Sequence, residues 1–119
     1  MGYFIDLEAC GRISPMPGIE TTILSGMSGE KTMIVLTSID AGVTVQSHSH
    51  PHEQIGIVYS GTASMRIGDD ERIVKEKDLY FVPPDVDHEA TAQGTEPFVV
   101  FEVFSPVRED FIEALKKKR

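Results

Sequence analysis

The chain has no tryptophan, a single cysteine and few basic residues. Cys10 cannot form a disulfide within the chain, so folding does not depend on an oxidising compartment, and we expect a cytoplasmic protein. No apolar run approaches the roughly 18 residues that a membrane-spanning helix needs. The first ten residues carry acids where a secretory signal would carry bases. A membrane or secretory role is therefore not predicted.

Basic residues are outnumbered by acidic ones, 11 against 19, which gives a net charge of −8. Such a surface repels nucleic acid phosphates and anionic membranes. The basic run at residues 116–119 closes a predicted helix, where cations complement the helix dipole. We therefore expect neither nucleic acid nor a membrane as a partner.

The 119 residues predict one domain, and most of it is β-structure. Residues 21–104 consist of short alternating or apolar segments separated by glycine-containing turns, with Gly68-Asp69-Asp70 predicted as the turn of a tight hairpin. Short strands at this spacing are typical of an all-β sandwich or barrel. Residues 1–20 are rich in proline and glycine and are predicted to form an N-terminal arm.

Residues 105–119 are predicted to form a C-terminal helix. Ser105 is a suitable N-cap, and Pro106 suits the first helical position. Phe111, Ile112 and Leu115 form an apolar stripe at helical spacing that would pack against the barrel.

Three of the four histidines lie within residues 48–52. Imidazole is a common ligand of divalent metals, and side chains two apart on a strand share a face, so His48 and His50 can converge on one ion. Pro51 favours a turn after that strand. Gln54 is then expected to begin the next antiparallel strand and to return beside the histidines through a hairpin. His88 follows a later strand.

Two neighbours compete with these ligands. Glu53 offers a carboxylate, which is chemically the better ligand, but its position on the strand directs it away from the face of Gln54. His52 is interpreted as a pocket residue or as a residue behind the ligands. Glu53 and Gln54 both remain candidates for the fourth ligand.

The spacing of these residues resembles the first motif of the cupin superfamily. Gly42, His48-Ser49-His50, Gln54 and Gly61 fall at its spacing, with Gln54 where glutamate is usual. The second motif is matched at Pro83 and His88, while Lys77 and Asp85 stand where the family has glycine and Ala92 where it has asparagine. The resemblance implies a double-stranded β-helix, or jelly-roll barrel, with a divalent metal held by His48, His50, Gln54 and His88.

The segments HPHEQIG, VPPDVDHEA and FSPVREDF are similar to those of small single-domain cupins of the KdgF type. This resemblance implies action on 4,5-unsaturated monouronates, which are converted from the cyclic form to the linear keto form. It assigns the catalytic acid to Glu102, where aspartate is usual, and the carboxylate anchor to Arg108. The substrate would be an anionic sugar. Three histidines with an amide accept Ni, Zn, Mn or Fe, and the exposed edges of a barrel favour a homodimer.

The residues themselves support parts of this assignment. Glu102 shares one strand face with the apolar Val100 and Phe104. Burial on that face would raise the pKa of Glu102 toward the range of a general acid or base. A neutral amide at Gln54 leaves the ion's charge undiminished, which favours non-redox chemistry. The alternatives are a water-facing Glu102 on an edge strand and a surface salt bridge for Arg108. Further candidate pocket residues are Tyr59, Arg66, Tyr80 and Phe101.

Two other functions remain open at this stage. One is a metal-dependent cupin dioxygenase, and the other is a non-enzymatic cupin that binds a sugar or another small ligand.

Overall fold

A computed structural model describes residues 3–118. The first two residues of the predicted arm and Arg119 of the basic run lie outside this range. A short 3-10 turn at Leu7–Ala9 precedes ten strands and one helix. The elements are β1 Arg12–Met16, β2 Ile19–Ser25, β3 Met33–Ile39, β4 Thr44–His48, β5 Glu53–Ser60, β6 Thr62–Ile67, β7 Asp70–Val74, β8 Leu79–Val82, β9 His88–Gln93, β10 Phe98–Ser105 and α1 Glu109–Lys117.

The strands form two antiparallel sheets that face each other. The larger sheet has the order β1-β2-β3-β10-β5-β8, and the smaller has the order β4-β9-β6-β7. The chain passes between the sheets from β3 to β4, from β4 to β5 and again later, as a jelly roll requires. The all-β jelly-roll barrel with a short C-terminal helix that the sequence predicts is thus confirmed.

The interior contains two apolar clusters. One lies between the sheets and includes Val58, Met65, Phe98 and Val100. The other lies beneath α1, where Ile112 and Leu115 are buried against strands β1 to β3 and Phe104, with Phe111 packed at its side. The predicted apolar stripe of the helix is therefore confirmed, and it covers the end of the barrel nearest to Phe104.

Two predicted boundaries differ from the structure. Residues 1–20 do not form only an arm, because β1 pairs with β2 through a turn at Pro17-Gly18, where Gly18 has a φ of 83°. The helix begins at Glu109 rather than after Ser105, and Arg108 occupies the N-cap position without a side-chain cap hydrogen bond. Strand β10 continues through Ser105, since its pairing with β5 extends to Glu53.

Two turns keep the geometry of the cupin pattern although their glycines are replaced. Lys77 and Asp85, which stand at the glycine positions of the second motif, have φ angles of 76° and 65°. Only glycine adopts such angles without cost, so the chain retains the turn geometry without the residue that suits it best. The hairpin predicted at Gly68-Asp69-Asp70 is present, but its turn is one residue shorter, because Asp70 already pairs with Ile67 as the first residue of β7. No helix in residues 3–118 is long and apolar enough to cross a membrane.

Candidate functional site

Three histidines and Gln54 meet inside one end of the barrel, from different elements. His48 ends β4, and His88 begins β9 as its direct pairing partner. His50 lies in the segment that crosses to the other sheet, where Gln54 sits on β5. The expected hairpin between β4 and β5 is therefore wrong, because these strands belong to opposite sheets. The crossing nevertheless brings Gln54 Oε1 within 3.0 Å of His50 Nε2.

The orientation of each imidazole is fixed by a backbone carbonyl. Nδ1 of His48 lies 2.8 Å from the carbonyl oxygen of Gln46, Nδ1 of His50 lies 3.2 Å from that of His52, and Nδ1 of His88 lies 2.9 Å from that of Val86. A carbonyl oxygen only accepts, so each Nδ1 carries the proton. Each Nε2 then presents a lone pair, as a metal ligand must.

The unsatisfied atoms of the site fit a cation. One ligand atom from each of His48, His50 and His88 lies within 4.8 Å of the others. Nε2 of His88 is buried without a hydrogen-bond partner. Nε2 of His50 faces Gln54 Oε1, and with the proton on Nδ1 both atoms are acceptors. A divalent cation satisfies all of these lone pairs at once, so the three histidines could hold a metal ion.

The protonation of the site favours the same ligands. Burial, with the neighbouring His48 and His50 and against the opposing Val86 carbonyl, lowers the pKa of His88 to about 4. Burial, followed by the charge of Arg108, lowers the pKa of His50. Neutral imidazole is the form that binds metals, and the lowered pKa values of His50 and His88 favour that form near neutral pH.

Glu102 lies beside the ligands on β10, the fourth strand of the larger sheet. Its Oε2 accepts a hydrogen bond of 2.7 Å from the Tyr80 hydroxyl and another from the Gln54 amide nitrogen. Burial raises the pKa of Glu102, against the opposing hydrogen bonds and the charge of Arg108. The alternative of an acid facing water on an edge strand is thereby excluded.

Tyr80 reaches Glu102 because the strand between them carries no side chain at that level. Gly56 on β5 pairs with Tyr80 on one side and with Glu102 on the other. A Cβ atom on Gly56 would overlap the Tyr80 ring. Burial and the adjacent carboxylate raise the pKa of Tyr80 well above its usual value, so the phenol stays protonated and donates. The sequence signal for this contact was the lone glycine within strand β5.

Arg108 lies at the cavity, packed against two aromatic rings. Its guanidinium carbon lies 4.8 Å from the centroid of Phe104 and 4.2 Å from that of Phe111. Its Nε and Nη2 donate to the two carboxylate oxygens of Asp110 at 2.9 and 2.8 Å. Arg108 therefore forms the salt bridge that sequence reasoning offered as an alternative, and it also lines the cavity.

Of the other predicted pocket residues, one faces the cavity and three lie on the outer faces of the sheets. Tyr80 lines the cavity, but Tyr59 and Phe101 pack edge to face on the outer surface of the larger sheet. The prediction that they bind substrate is therefore wrong. Successive side chains along a strand lie on opposite faces of the sheet, so Phe101 lies on the outer face while Glu102 faces the cavity. Arg66 faces outward from the smaller sheet, toward Asp87 and Glu89.

The candidates for a fourth ligand also separate. Glu53 is exposed, whereas Gln54 is buried at 6% exposure. His52 sits behind the ligands and contributes its carbonyl oxygen to His50. Strand alternation therefore places the amide, and not the neighbouring carboxylate, beside the histidines.

The site opens into a cavity of about 160 Å³. One end carries the polar groups described above. The remainder is apolar, with side chains that include Met16, Ile39, Val45 and Phe98. The cavity suits a small molecule that presents polar atoms to one end and a less polar surface to the walls.

A protein-family comparison identifies the fold as that of a cupin. The family model "Cupin domain" matches residues 35–104. The match covers more than half of the chain, so the chain belongs to the cupin family.

Among solved structures, small single-domain cupins superpose well on this chain. The structure of KdgF from Halomonas sp. superposes with a TM-score of 0.83 at 27% identity, covering 93% of this chain and 99% of that one. An RmlC-like cupin from Shewanella frigidimarina has a TM-score of 0.82 at 27% identity, covering 93% and 96%. The chain is a small cupin-domain protein that is similar to KdgF.

The chain is also similar in sequence to a curated isomerase. The H2HPP isomerase of Bacillus subtilis is 30% identical over 73 residues, which is 60% of this chain. Because the match covers 31% of that protein, the chain spans about a third of the relative's length.

Proposed function

We propose that this protein is a divalent-metal-binding, non-redox isomerase that opens and ketonises the ring of a 4,5-unsaturated uronate. The observation that carries the proposal is the placement of Glu102. A carboxylate with a raised pKa stands beside a group of three histidines and within reach of Tyr80 and Gln54. The similarity to KdgF over almost the whole chain supports it.

His48, His50, His88 and Gln54 would hold the ion, which we expect to be Ni, Zn, Mn or Fe. When bound, the ion supplies Lewis acidity toward sugar oxygens without a change in its oxidation state. Glu102 fixes the orientation of the Gln54 amide, because it accepts a hydrogen bond from the amide nitrogen and so leaves Oε1 facing His50. The neutral amide keeps the positive charge of the site high.

Glu102 Oε2 is the group that would move the proton. In the ring opening, the C1 hydroxyl loses its proton, the C1–O5 bond breaks, and O5 gains a proton to become an enol hydroxyl. In the second step the enol loses that proton while C4 gains one, which gives the 5-keto form. No atom is gained or lost overall, so one carboxyl group that accepts and returns a proton suffices. Tyr80 would hold that group in place.

Arg108 would bind the substrate carboxylate. A guanidinium has five N–H donors, and Asp110 engages two of them. Cation–π contacts with the rings of Phe104 and Phe111 help to hold the group in place. This arrangement gives an acidic protein a local, oriented cation for an anionic sugar.

The test is the ultraviolet absorbance of 4,5-unsaturated galacturonate, whose conjugated enol acid absorbs while the keto product does not. We expect the metal-loaded protein to accelerate the loss of absorbance and the His48→Ala/His50→Ala variant not to. Glu102→Gln should abolish turnover with its metal content intact, and Glu53→Gln, which alters an exposed acid, should retain activity. Full activity in Glu102→Gln would remove this residue from the mechanism, and no acceleration with any of the four metals would overturn the substrate assignment.

The apolar walls of the cavity favour one second candidate. The same carboxylate could catalyse a proton shift in a carboxylic acid whose body is less polar than a sugar. The similarity to an enzyme named as an isomerase is consistent with this chemistry. Turnover of such an acid, without turnover of the uronate, would support this candidate.

We also propose that the protein is a homodimer that pairs through the outer face of the larger sheet. Five large apolar side chains on β5 and β8 are between 40% and 67% exposed. They are Ile55, Ile57, Tyr59, Leu79 and Phe81. Together they present roughly 600 Å², a patch at the upper end for a monomer, and the half-buried Phe101 and Val103 extend it toward the about 800 Å² per partner of a standard interface. A second copy with the same uncharged patch is the occupant that this surface fits.

A further inference from the structure

A β-bulge directs His48 into the barrel. Val45 on β4 pairs with Ala90, and His48 pairs with His88. Two residues, Gln46 and Ser47, therefore lie opposite the single residue Glu89. A bulge of this kind inserts one extra residue into a strand and redirects the side chains beyond it.

Strand alternation shows what the bulge achieves. Thr44 faces outward, where its hydroxyl bonds to Thr91 at 2.9 Å, and Val45 faces the interior cluster. In a regular strand the alternation would continue, and the fourth residue after Thr44 would face outward again. That residue is His48. The extra residue reverses the alternation and turns the imidazole toward His50 and His88.

Arg66, on the outer face of the smaller sheet, holds this irregular segment. Its Nη2 donates to the Ser47 hydroxyl at 3.0 Å, its Nε donates to Glu89 at 2.9 Å and its Nη1 donates to the carbonyl oxygen of Gly68 at 2.9 Å. The Ser47 hydroxyl in turn donates to Asp87 at 2.7 Å. One guanidinium thus joins β6, β9 and the bulge of β4.

The members of this network are the direct neighbours of metal-ligand candidates. Ser47 precedes His48, and Asp87 precedes His88. The other bulge residue, Gln46, supplies the carbonyl oxygen that accepts from His48 Nδ1. The network therefore fixes the backbone just before each of the paired histidines, although Arg66, Ser47 and Asp87 are not among the residues that line the cavity.

We propose that Arg66, Ser47 and Asp87 form a clamp that holds the β4 bulge and so positions His48 for metal binding. They are positioning residues, since they act through the histidines and do not touch the ion or the substrate. This inference rests on the proposed metal site. A simple surface ion-pair network would stabilise the sheet without affecting metal affinity, and the two roles make different predictions.

The experiment measures the affinity of the purified full chain for Ni²⁺ by calorimetry, with Co²⁺ absorption as a report of the ligand set. We expect Arg66→Met to weaken Ni²⁺ binding by about 10- to 100-fold, as loss of a partner behind a metal ligand does elsewhere, and Ser47→Ala to weaken it in the same direction. Arg66→Lys should recover only part of the affinity, because lysine cannot make the three directed bonds. The matched control is Arg72→Met, which removes an exposed ion pair to Asp70 on the neighbouring strand β7 and should leave the affinity unchanged.

Deletion of Gln46 provides a second test. It removes the extra residue, so a regular strand would face His48 outward, and we expect Ni²⁺ binding and the Co²⁺ spectrum of the native site to be lost while circular dichroism stays that of a β-protein. If the deletion prevents folding, the point variants decide alone. Native Ni²⁺ affinity in both Arg66→Met and Ser47→Ala, even with a lower melting temperature, would overturn the clamp. Absence of Ni²⁺ and Co²⁺ binding in the parent would instead overturn the metal site itself.

Discussion

The hydroxyl of Tyr80 donates a 2.7 Å hydrogen bond to Glu102 across Gly56, which separates them in the sheet. The phenol occupies the space that any side chain at Gly56 would need. A residue of one strand therefore orients the carboxylate of the next strand but one, and the glycine between them makes this possible.

The variant Gly56→Ala tests this relationship. Its methyl group must displace the Tyr80 ring, so we expect the free energy of unfolding to fall by about 1–3 kcal/mol, as overpacking does in other cores. Turnover should fall as well, because the hydrogen bond to Glu102 is lost. Tyr80→Phe is the matched control, since it keeps the ring and removes only the hydroxyl. It should reduce turnover with a smaller loss of stability.

A double variant separates crowding from other causes. If the cost of Gly56→Ala arises from the Tyr80 ring, it should shrink when Tyr80 is replaced by valine, and the two changes should be non-additive. Equal costs in both backgrounds, measured by urea unfolding, would show that the glycine serves another purpose.

The buried His88 predicts how the metal-free protein responds to acid. Its pKa is lowered from 6.5 to about 4, so between these values the unfolded chain binds a proton that the folded chain does not. Stability then rises with pH across this window and is lost as the pH falls through it. We expect His88 to contribute a loss on the order of 3 kcal/mol in total, complete near its folded pKa.

The measurement is urea unfolding of metal-stripped protein in chelator at a series of pH values. His88→Gln should flatten the profile in this window, because glutamine does not titrate. An unchanged slope in that variant would assign the acid sensitivity to other groups.

The outer sheet face predicts the oligomeric state. A carboxylate in place of Ile57, in the middle of the apolar patch, would be buried without a partner in a dimer, which is costly. We expect Ile57→Glu to shift the protein from dimer to monomer in sedimentation velocity while its melting temperature as a monomer changes little. Ile73→Glu, at a more exposed apolar residue on β7 in the other sheet, should leave the dimer intact. A parent that sediments as a monomer at micromolar concentration would contradict the proposed pairing.

The regular parts of the fold could be predicted from the sequence because they repeat a local rule. Alternation along β5 separated Gln54 from Glu53. Alternation along β10 likewise separates Glu102 from Phe101, so the prediction of Phe101 as a pocket residue was wrong. The same rule applied to β4 would face His48 outward, because a bulge leaves no clear mark in the sequence. The family spacing of the histidines corrected for this without explaining it.

Other features depended on packing that a single sequence does not display. Ser105 and Pro106 form a plausible helix start, but the pairing of β10 with β5 continues through Ser105 and delays the helix. Tyr59 and Tyr80 are equally plausible as pocket residues from their chemistry. Alternation along β5 places Tyr59 on the outer face with Glu53, whereas Gly56 gives Tyr80 the room to reach Glu102. The role of this glycine becomes visible only when the strand pairing is known.

The amide of Gln54 leads to the last prediction. Glutamine donates to Glu102 and presents Oε1 to His50, whereas glutamate in its place can only accept when it is ionised. Two contacting carboxylates would force one of them to retain a proton. A negative ligand should also strengthen the attraction of the site for a cation. We therefore expect Gln54→Glu to bind Ni²⁺ at least as tightly as the parent, but to lose most of its turnover because Glu102 can no longer exchange its proton freely. Glu53→Gln, at the exposed neighbour, should change neither property. Calorimetry and the absorbance assay together check this, and full turnover in Gln54→Glu would show that the proton is not carried by Glu102 in contact with residue 54.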